Sequence, residues 1–194
     1  KNKITKLPTE FSTLSQLTLL EVQKNRLSNL EKSFQQLSAL QHLNLDKNNF
    51  TSFPSVLTEM PNLKHLSFKT HRVTSLPINF AQLNGLQYLS LGGNRLTNIP
   101  NSLSTFTELK YLNLNGNRYA SLPEKLQHLT NLTYFSINSE YLQDLPDWLS
   151  TLFRTFELIG RQPKYSCQIE VCPDQKEKLN YHRLSALCTY ATPQ

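Results

Sequence analysis

The sequence predicts an α/β solenoid with a curved parallel β-sheet on its concave face, short 3-10 or irregular segments on its convex face, and a C-terminal cap. One observation is that leucine-spaced segments recur every 23 residues, and a fixed period of this length is typical of solenoids. Another is the Leu-x-Leu alternation, which directs two leucines to one face of a short strand and the residue between them to the other. The segments begin at Leu17, Leu40, Leu63, Leu86, Leu109 and Leu132.

Each copy predicts a strand, then a turn, then an outer bend. An asparagine follows the strand, where the chain turns inward and leaves backbone groups without ladder partners. Its amide donates and accepts at once, so we expect a hydrogen-bonded ladder from copy to copy. Leu-Pro pairs at 76–77, 122–123 and 145–146 predict an extended bend on the outer side. The ladder asparagines are Asn25, Asn48, Asn94 and Asn117.

Two copies lack this asparagine and carry His71 or Glu140 instead. A histidine ring also donates and accepts, so we expect His71 to be a structural substitute. An ionised carboxylate cannot donate. We therefore expect the loop at Glu140 to be distorted and the glutamate to reach solvent, with a metal or pH role as the alternative.

The repeat reads LxxLxLxxNxLxxLPxxLxxLxx over about residues 2–161, and this pattern resembles the leucine-rich repeat. The 23-residue form is similar to repeats of proteins related to Scribble and the Ras-binding scaffolds, of the plant intracellular group, and of bacterial proteins, including spirochaete surface or secreted ones. A composition rich in Asn, Gln and Ser, with the lone Met60 and Trp148, favours the bacterial set. The resemblance implies a protein partner on the concave face, including host molecules, and we favour secretion or the cell surface over the cytoplasm.

The register of the repeat divides the chain into two regions. Residues 1–161 are the solenoid, with a partial first repeat, six full repeats and a degenerate seventh that starts at Phe153 after 21 residues. Residues 162–194 are the cap that an exposed last repeat requires, with a strand over 168–171 and a helix from 173 to about 190. Because the chain starts inside a repeat, we interpret it as a fragment whose secretion signal would lie upstream.

Two columns of side chains project from the concave side of the predicted sheet, with about 4.8 Å between strands. We call the aromatic column the ring stripe and the neighbouring column the polar floor. Tyrosine offers a large, rigid contact area with a hydroxyl tip, which favours partner binding; stabilisation of the sheet by inherited, stacked copies is the alternative. The ring stripe is His42, His65, Tyr88, Tyr111 and Tyr134, preceded by Leu19, and the polar floor is Glu21, Asn44, Ser67, Ser90, Asn113 and Ser136.

A third column beyond the asparagines predicts a basic rim. Residues 1–97 contain eleven Lys and Arg against five Asp and Glu, whereas residues 98–194 contain nine of each. A cationic rim beside aromatic rings suits an acidic, partly apolar protein. An anionic glycan or surface polymer on the basic N-terminal half is one alternative, and a solvated surface without a ligand is another. The basic rim is Arg26, Arg72, Arg95 and Arg118, preceded by Lys3, interrupted by Asn49 and ended by Tyr141.

The chain has three cysteines, so at least one thiol is unpaired within it. On one strand, Cys167 and Cys172 lie on opposite faces and do not bridge. A helix folding back along that strand would bring Cys188 toward Cys167, which makes this disulfide the pairing to test first, with free buried thiols as the alternative. The run Cys172, His182, Cys188 lacks the paired short spacings of zinc sites, so no zinc is expected.

No catalytic residue, cofactor or metal site is predicted. The sequence has no Gly-rich phosphate loop, no nucleophile elbow and no HExxH motif. Glu21 and Glu157 share a column but lie six repeats apart, too far to act on one bond. No apolar run is long enough to cross a membrane, and nucleic acid is not expected as a partner. The sequence therefore predicts a non-enzymatic binding module.

Overall fold

The computed structural model describes residues 2–138, 146–149, 157–158 and 166–170. Within these ranges, strands alternate with 3-10 helices, one of each per repeat. The strands of the repeats are β1 (Leu19–Glu21), β2 (His42–Asn44), β3 (His65–Ser67), β4 (Tyr88–Ser90), β5 (Tyr111–Asn113) and β6 (Tyr134–Asn138), followed by β7 (Glu157–Leu158) and β8 (Ser166–Glu170).

Strands β1 to β6 lie side by side in sequence order as a parallel sheet. Equivalent positions of successive repeats are partners, so that Leu66 lies beside Leu89 and His65 beside Tyr88. The same register holds from β1 through β6. The predicted repeat register and the α/β solenoid are confirmed.

Short 3-10 helices form the side opposite the sheet, and five of the six begin directly after a proline. The extended backbone of Pro77 and Pro123 matches the predicted bends, and each carbonyl accepts the first helical hydrogen bond. A proline before the first turn has φ suited to a helix start and leaves no donor unpaired. The helices are Thr9–Thr13, Lys32–Gln36, Ser55–Glu59, Ile78–Leu83, Asn101–Thr105 and Glu124–His128.

The core lies between sheet and helices and is built from the inward leucines of every repeat. Leu66, Leu89 and Leu112 have no exposed surface. A chain of phenylalanine rings crosses the middle repeats; Phe53 contacts Phe80 at 5.4 Å between ring centroids. Each such side chain stabilises the fold by about 1.5–3 kcal/mol only when the next repeat covers it, so the repeats depend on one another.

The asparagine ladder runs through the turns that follow the strands. The Nδ2 group of Asn117 donates to the carbonyls of Leu91 and Leu114, and its Oδ1 accepts from the backbone N–H of Leu96 at 3.1 Å. Asn48 repeats this arrangement, with its Oδ1 accepting from Leu27 at 2.9 Å. Each amide therefore joins its own repeat to the previous one, as predicted.

His71 takes the ladder position in the third repeat but provides only part of its hydrogen bonding. Its Nδ1 donates to the carbonyl of Asn48 at 3.1 Å, since a carbonyl can only accept. Its Nε2, and Oδ1 of Asn94 in the next repeat, are buried without a hydrogen-bond partner among the described residues. The ring packs instead on Phe68, with centroids 4.1 Å apart. The substitution is tolerated, but the ladder is interrupted. Glu140 lies outside the described residues.

The turn residue before each ladder position has a left-handed backbone. Gly93 and Gly116 have φ values of +67° and +64°, which glycine adopts without steric cost. Thr70 adopts 63° at the same place although its branched side chain disfavours this region. The equivalent residues of the first two repeats are Lys24 and Lys47.

Beyond β6 the sheet continues with a reversed strand. β8 pairs antiparallel with β6 over five residues, and β7 lies on the far side of β8. The longer antiparallel ladder satisfies more backbone groups of β6 than the two-residue β7 could. The predicted strand over 168–171 corresponds to β8, and the predicted cap helix lies outside the described residues.

Candidate partner-binding surface

The strands bring the ring stripe together as one continuous stack. Each ring precedes an inward leucine, so alternation directs it away from the core, and the in-register pairing places it beside its equivalent on the next strand. The planes of His65 and Tyr88 are 5° apart with centroids 3.8 Å apart, and those of Tyr88 and Tyr111 are 11° and 4.1 Å apart. Tyr111 and Tyr134 continue the stack at 4.1 Å. At the other end, His42 is tilted by 35° from His65 at 5.5 Å.

Stacking decides which parts of these rings a partner can reach. Both flat faces of Tyr88 and Tyr111 are covered by neighbouring rings, and both residues are half-buried. The ring edges line the concave side, and each hydroxyl group has polar neighbours, which include Ser90 for Tyr88 and Asn113 for Tyr111. The edge of an aromatic ring carries positive charge and its face negative charge, so this surface favours hydrogen-bond acceptors over cations.

His65, Tyr88 and Tyr111 are uncharged at neutral pH. Burial raises the pKa of Tyr88 and of Tyr111 above the ordinary 10.0. Burial, and then the neighbouring His42, lower the pKa of His65 below the ordinary 6.5. These three rings therefore offer polar but neutral groups.

The polar floor beside the rings is made of small, buried residues in repeats three, four and six. Ser67, Ser90 and Ser136 are at most 4% exposed. The predicted site residues Asn44 and Asn113 are half-buried, and the Oδ1 of each accepts the backbone N–H two residues further on, at 3.1 and 3.0 Å. These bonds fix both side chains on the concave face.

A further concave column was missed by the sequence reasoning. Asp46 accepts from Ser67 Oγ at 2.8 Å and from the backbone N–H of Lys69 at 2.7 Å, and its carboxylate lies 3.3 Å from Lys69 Nζ. The carboxylate is thus neutralised by its neighbour. Continuing the strand alternation by two residues would have found this column, which is Gln23, Asp46, Lys69, Gly92 and Asn115.

The basic rim follows the strand ends on the far side of this column. All four of its arginines are exposed, and parallel backbone hydrogen bonds such as Arg95 N–H to the Val73 carbonyl at 2.8 Å hold them in a row. Within the described ranges, every ion pair uses a lysine: Lys6 with Glu31, Lys64 with Glu108 and Lys69 with Asp46. None of the four arginines is in an ion pair with a described residue.

The remaining predicted site residues lie mostly beyond the described part of the chain. Cys167 lies in β8, whereas Cys172 and Cys188 lie outside the described residues, so the Cys167–Cys188 disulfide stays a prediction. Among the described residues, no group of three or more His, Cys, Asp or Glu could hold a metal. In the same ranges, no helix has the length and apolar character needed to cross a bilayer.

Two sequence-family profiles match the repeats. One, described as leucine rich repeat, matches residues 1–50 and 15–73, and the other, described as leucine rich repeats in two copies, matches residues 84–127. No curated protein matches the sequence. The fold itself is common, with 320 matching chains among solved structures, so the fold alone does not select a partner.

Three solved structures illustrate the likeness. A leucine-rich repeat protein of Leptospira interrogans is 34% identical, with a TM-score of 0.75, over 78% of this chain and 38% of that one. The plant peptide hormone receptor RGFR1, in complex with RGF2, is 28% identical, with a TM-score of 0.66, over 80% of this chain and 26% of that one. A TDR receptor is 27% identical, with a TM-score of 0.65, over 76% and 27%.

The chain therefore spans less than two fifths of the length of each of these proteins. Both profiles fall on the parallel repeats, whose register and asparagine ladder follow the same 23-residue period. The chain belongs to the leucine-rich repeat family.

Proposed function

We propose that the protein is a non-enzymatic interaction module whose concave face binds another protein. The observation that carries this proposal is the ring stripe: three tyrosines and a histidine are stacked in register on the face of a sheet, and their ring edges line the concave side. Leucine-rich repeat proteins bind protein partners, and one similar structure is a receptor in complex with RGF2.

Stabilisation of the sheet is the competing explanation for the same rings. Stacked aromatic pairs do stabilise a sheet, by about 0.5–1.5 kcal/mol each. Phenylalanine would stack equally well, whereas a tyrosine hydroxyl hydrogen-bonds to its neighbours and has further capacity to donate or accept toward a partner. Tyrosine at Tyr88, Tyr111 and Tyr134 supports recognition in addition to stability.

The experiment tests whether binding uses the concave face or the helical side of the solenoid. Protein fragments displayed on phage are selected on the wild type, and each binder is then measured by biolayer interferometry. We expect the Tyr88→Phe/Tyr111→Phe variant, which keeps the stack, to weaken natural-fragment binders at least about tenfold. The control Ile78→Ala removes a fully exposed apolar side chain from the opposite side and should leave affinity unchanged.

The opposite pattern would refute the proposal. Binders that retain full affinity for the double phenylalanine variant but lose it on Ile78→Ala would place recognition on the helical side. Melting temperatures of both variants, measured alongside, show that each remains folded.

An anionic glycan is a second candidate, favoured by the four exposed arginines of the basic rim, none of which is in an ion pair with a described residue. Heparin binding that falls with Arg72→Gln and Arg95→Gln, and with salt, but not with the tyrosine changes, would support it over the protein partner.

We also propose that the protein is bacterial, secreted or surface-exposed, and contacts host molecules, since it is similar to a Leptospira protein. Protease treatment of intact source cells checks the location. Resistance equal to that of a cytoplasmic control protein would exclude the surface, and absence from the culture medium would exclude secretion.

A further inference from the structure

The arginines of residues 1–138 are confined to one row. Between residues 1 and 138, every arginine belongs to the basic rim, whereas lysines are scattered over both sides of the fold. A planar guanidinium binds a carboxylate through two parallel hydrogen bonds, which an ammonium cannot do. Arg72, Arg95 and Arg118 stand on three consecutive repeats, exposed and outside the described ion pairs.

The ring stripe also favours a partner with negative charge, by a different mechanism. Because stacking covers the negative faces of Tyr88 and Tyr111, the partner meets the positive edges of their rings. A cationic partner would need the faces, which are occupied. Two independent features of the concave side therefore favour an acidic partner.

The floor between the two rows limits where that partner lies. Glu21, which is exposed and outside the described ion pairs, lies at the end formed by the first repeat. In repeats three to five, the polar floor is Ser67, Ser90 and Asn113, without an acidic residue. The acidic partner is therefore expected over repeats three to five.

The spacing of the rows distinguishes between shapes of partner. Arginines on neighbouring strands repeat at about 4.8 Å, which is close to the pitch of an α-helix, about 5.4 Å. Residues on one side of an extended peptide repeat at about 6.6–6.8 Å, so their carboxylates would no longer lie opposite the arginines by the third arginine of the row. Strand β4 and the turn that begins at Gly92 separate Tyr88 from Arg95, and a partner lying between these two rows runs across the strands.

We propose that the concave face, acting as the protein-binding surface proposed above, accepts an acidic amphipathic α-helix lying across the strands. Carboxylates of successive helical turns pair with Arg72, Arg95 and Arg118. The adjoining side of the helix lies over the polar floor, and its acceptor groups meet the edges and hydroxyls of Tyr88 and Tyr111.

Three synthetic peptides of about 20 residues and equal charge test this proposal. In the first, glutamates recur at i, i+3 and i+7 and form one stripe of a helix. The second has the same composition with glutamates spread around the helix, and circular dichroism verifies equal helicity. The third alternates glutamate and threonine as a strand. Fluorescence anisotropy gives each affinity.

We expect the striped helix to bind at least about tenfold more tightly than either other peptide. Arg95→Gln/Arg118→Gln should weaken it about tenfold or more, while Lys32→Gln/Lys125→Gln, which removes the same charge from the helical side, should change it less than about twofold. Raising the salt concentration should weaken the striped helix most.

Four results would each overturn the helical partner. They are equal binding of the striped and scattered helices, tighter binding of the strand peptide, equal effects of the two double variants, and no binding of any peptide. The proposed function is tested separately, because phage-selected binders that require the tyrosine hydroxyls would support it even if every helix failed.

Discussion

Tyr111 and Tyr134 lie ring on ring, with centroids 4.1 Å apart and planes 3° from parallel. Tyr88 covers the other face of Tyr111 at the same distance. Tyr111 therefore connects three neighbouring strands on the solvent side of the sheet, where no leucine reaches. Its ring contributes to stability as well as to the proposed recognition surface.

Replacing Tyr111 with alanine removes two stacked pairs at once. We expect the free energy of unfolding to fall by about 1–3 kcal/mol, because each pair contributes about 0.5–1.5 kcal/mol. Tyr111→Phe keeps both pairs and should remain within about 0.5 kcal/mol of the wild type. Urea denaturation measures all three proteins, and an alanine variant as stable as the wild type would show that the stack contributes nothing.

His71 should make stability depend on pH. Burial lowers its pKa below 6.5, although hydrogen bonding to Asn48 and the charge of Asp46 oppose this. The unfolded chain then binds a proton at higher pH than the folded one. His71's contribution is fully present above about pH 6.5, falls as pH drops, and levels off below the folded pKa.

The variant His71→Asn removes this titration. The variant should therefore gain stability relative to the wild type as pH falls from about 7.5 to 5, so that the difference in free energy of unfolding, variant minus wild type, increases. His65, whose pKa is lowered in the same direction, is present in both proteins and cancels in the comparison. A constant difference across this range would mean that His71 titrates alike in both states.

Thr70→Gly should stabilise the fold. A left-handed backbone costs a residue with a Cβ about 1–2 kcal/mol, and glycine loses about 0.5–1 kcal/mol in chain entropy, so a gain of about 1 kcal/mol is expected. Gly116→Ala is the matched reverse change and should destabilise by about the same amount. Thermal unfolding of both variants provides the measurement, and shifts of the same sign would contradict the argument.

Asp46→Ala should lower the free energy of unfolding by about 3 kcal/mol. The reason is that Ser67 Oγ and the Lys69 N–H both lose their acceptor, and each hydrogen bond to a charged group contributes about 1.5–3 kcal/mol. Lys69→Ala removes only a partly exposed ion pair and should cost less than about 1 kcal/mol. Guanidinium denaturation compares them. Equal losses would mean that the ion pair, not the buried acceptor, matters.

Much of the fold could be predicted because one period controls it. Alternation and the 23-residue spacing place His65 beside Tyr88 before any coordinates are known. They do not predict that the rings lie face to face, since this depends on a side-chain rotamer shared by successive repeats. Nor does spacing reveal that Asp46 is neutralised by Lys69, because that contact joins different repeats through flexible side chains.

The end of the sheet could not be predicted for a related reason. β8 carries no leucine pattern, and its pairing with β6 brings together residues more than 25 positions apart in reversed direction. The left-handed turn at Thr70 could not be predicted from Thr70 itself, because threonine disfavours this conformation. Only the glycines at the equivalent positions of later repeats indicate it.

The reversed strand β8 also affects how copies of the protein can associate. A parallel sheet that ended at β6 would expose a backbone edge onto which another chain could add strands without limit. Instead β8 occupies that edge and pairs with β6 in the reverse direction over five residues. A second copy therefore cannot extend the parallel ladder directly from β6.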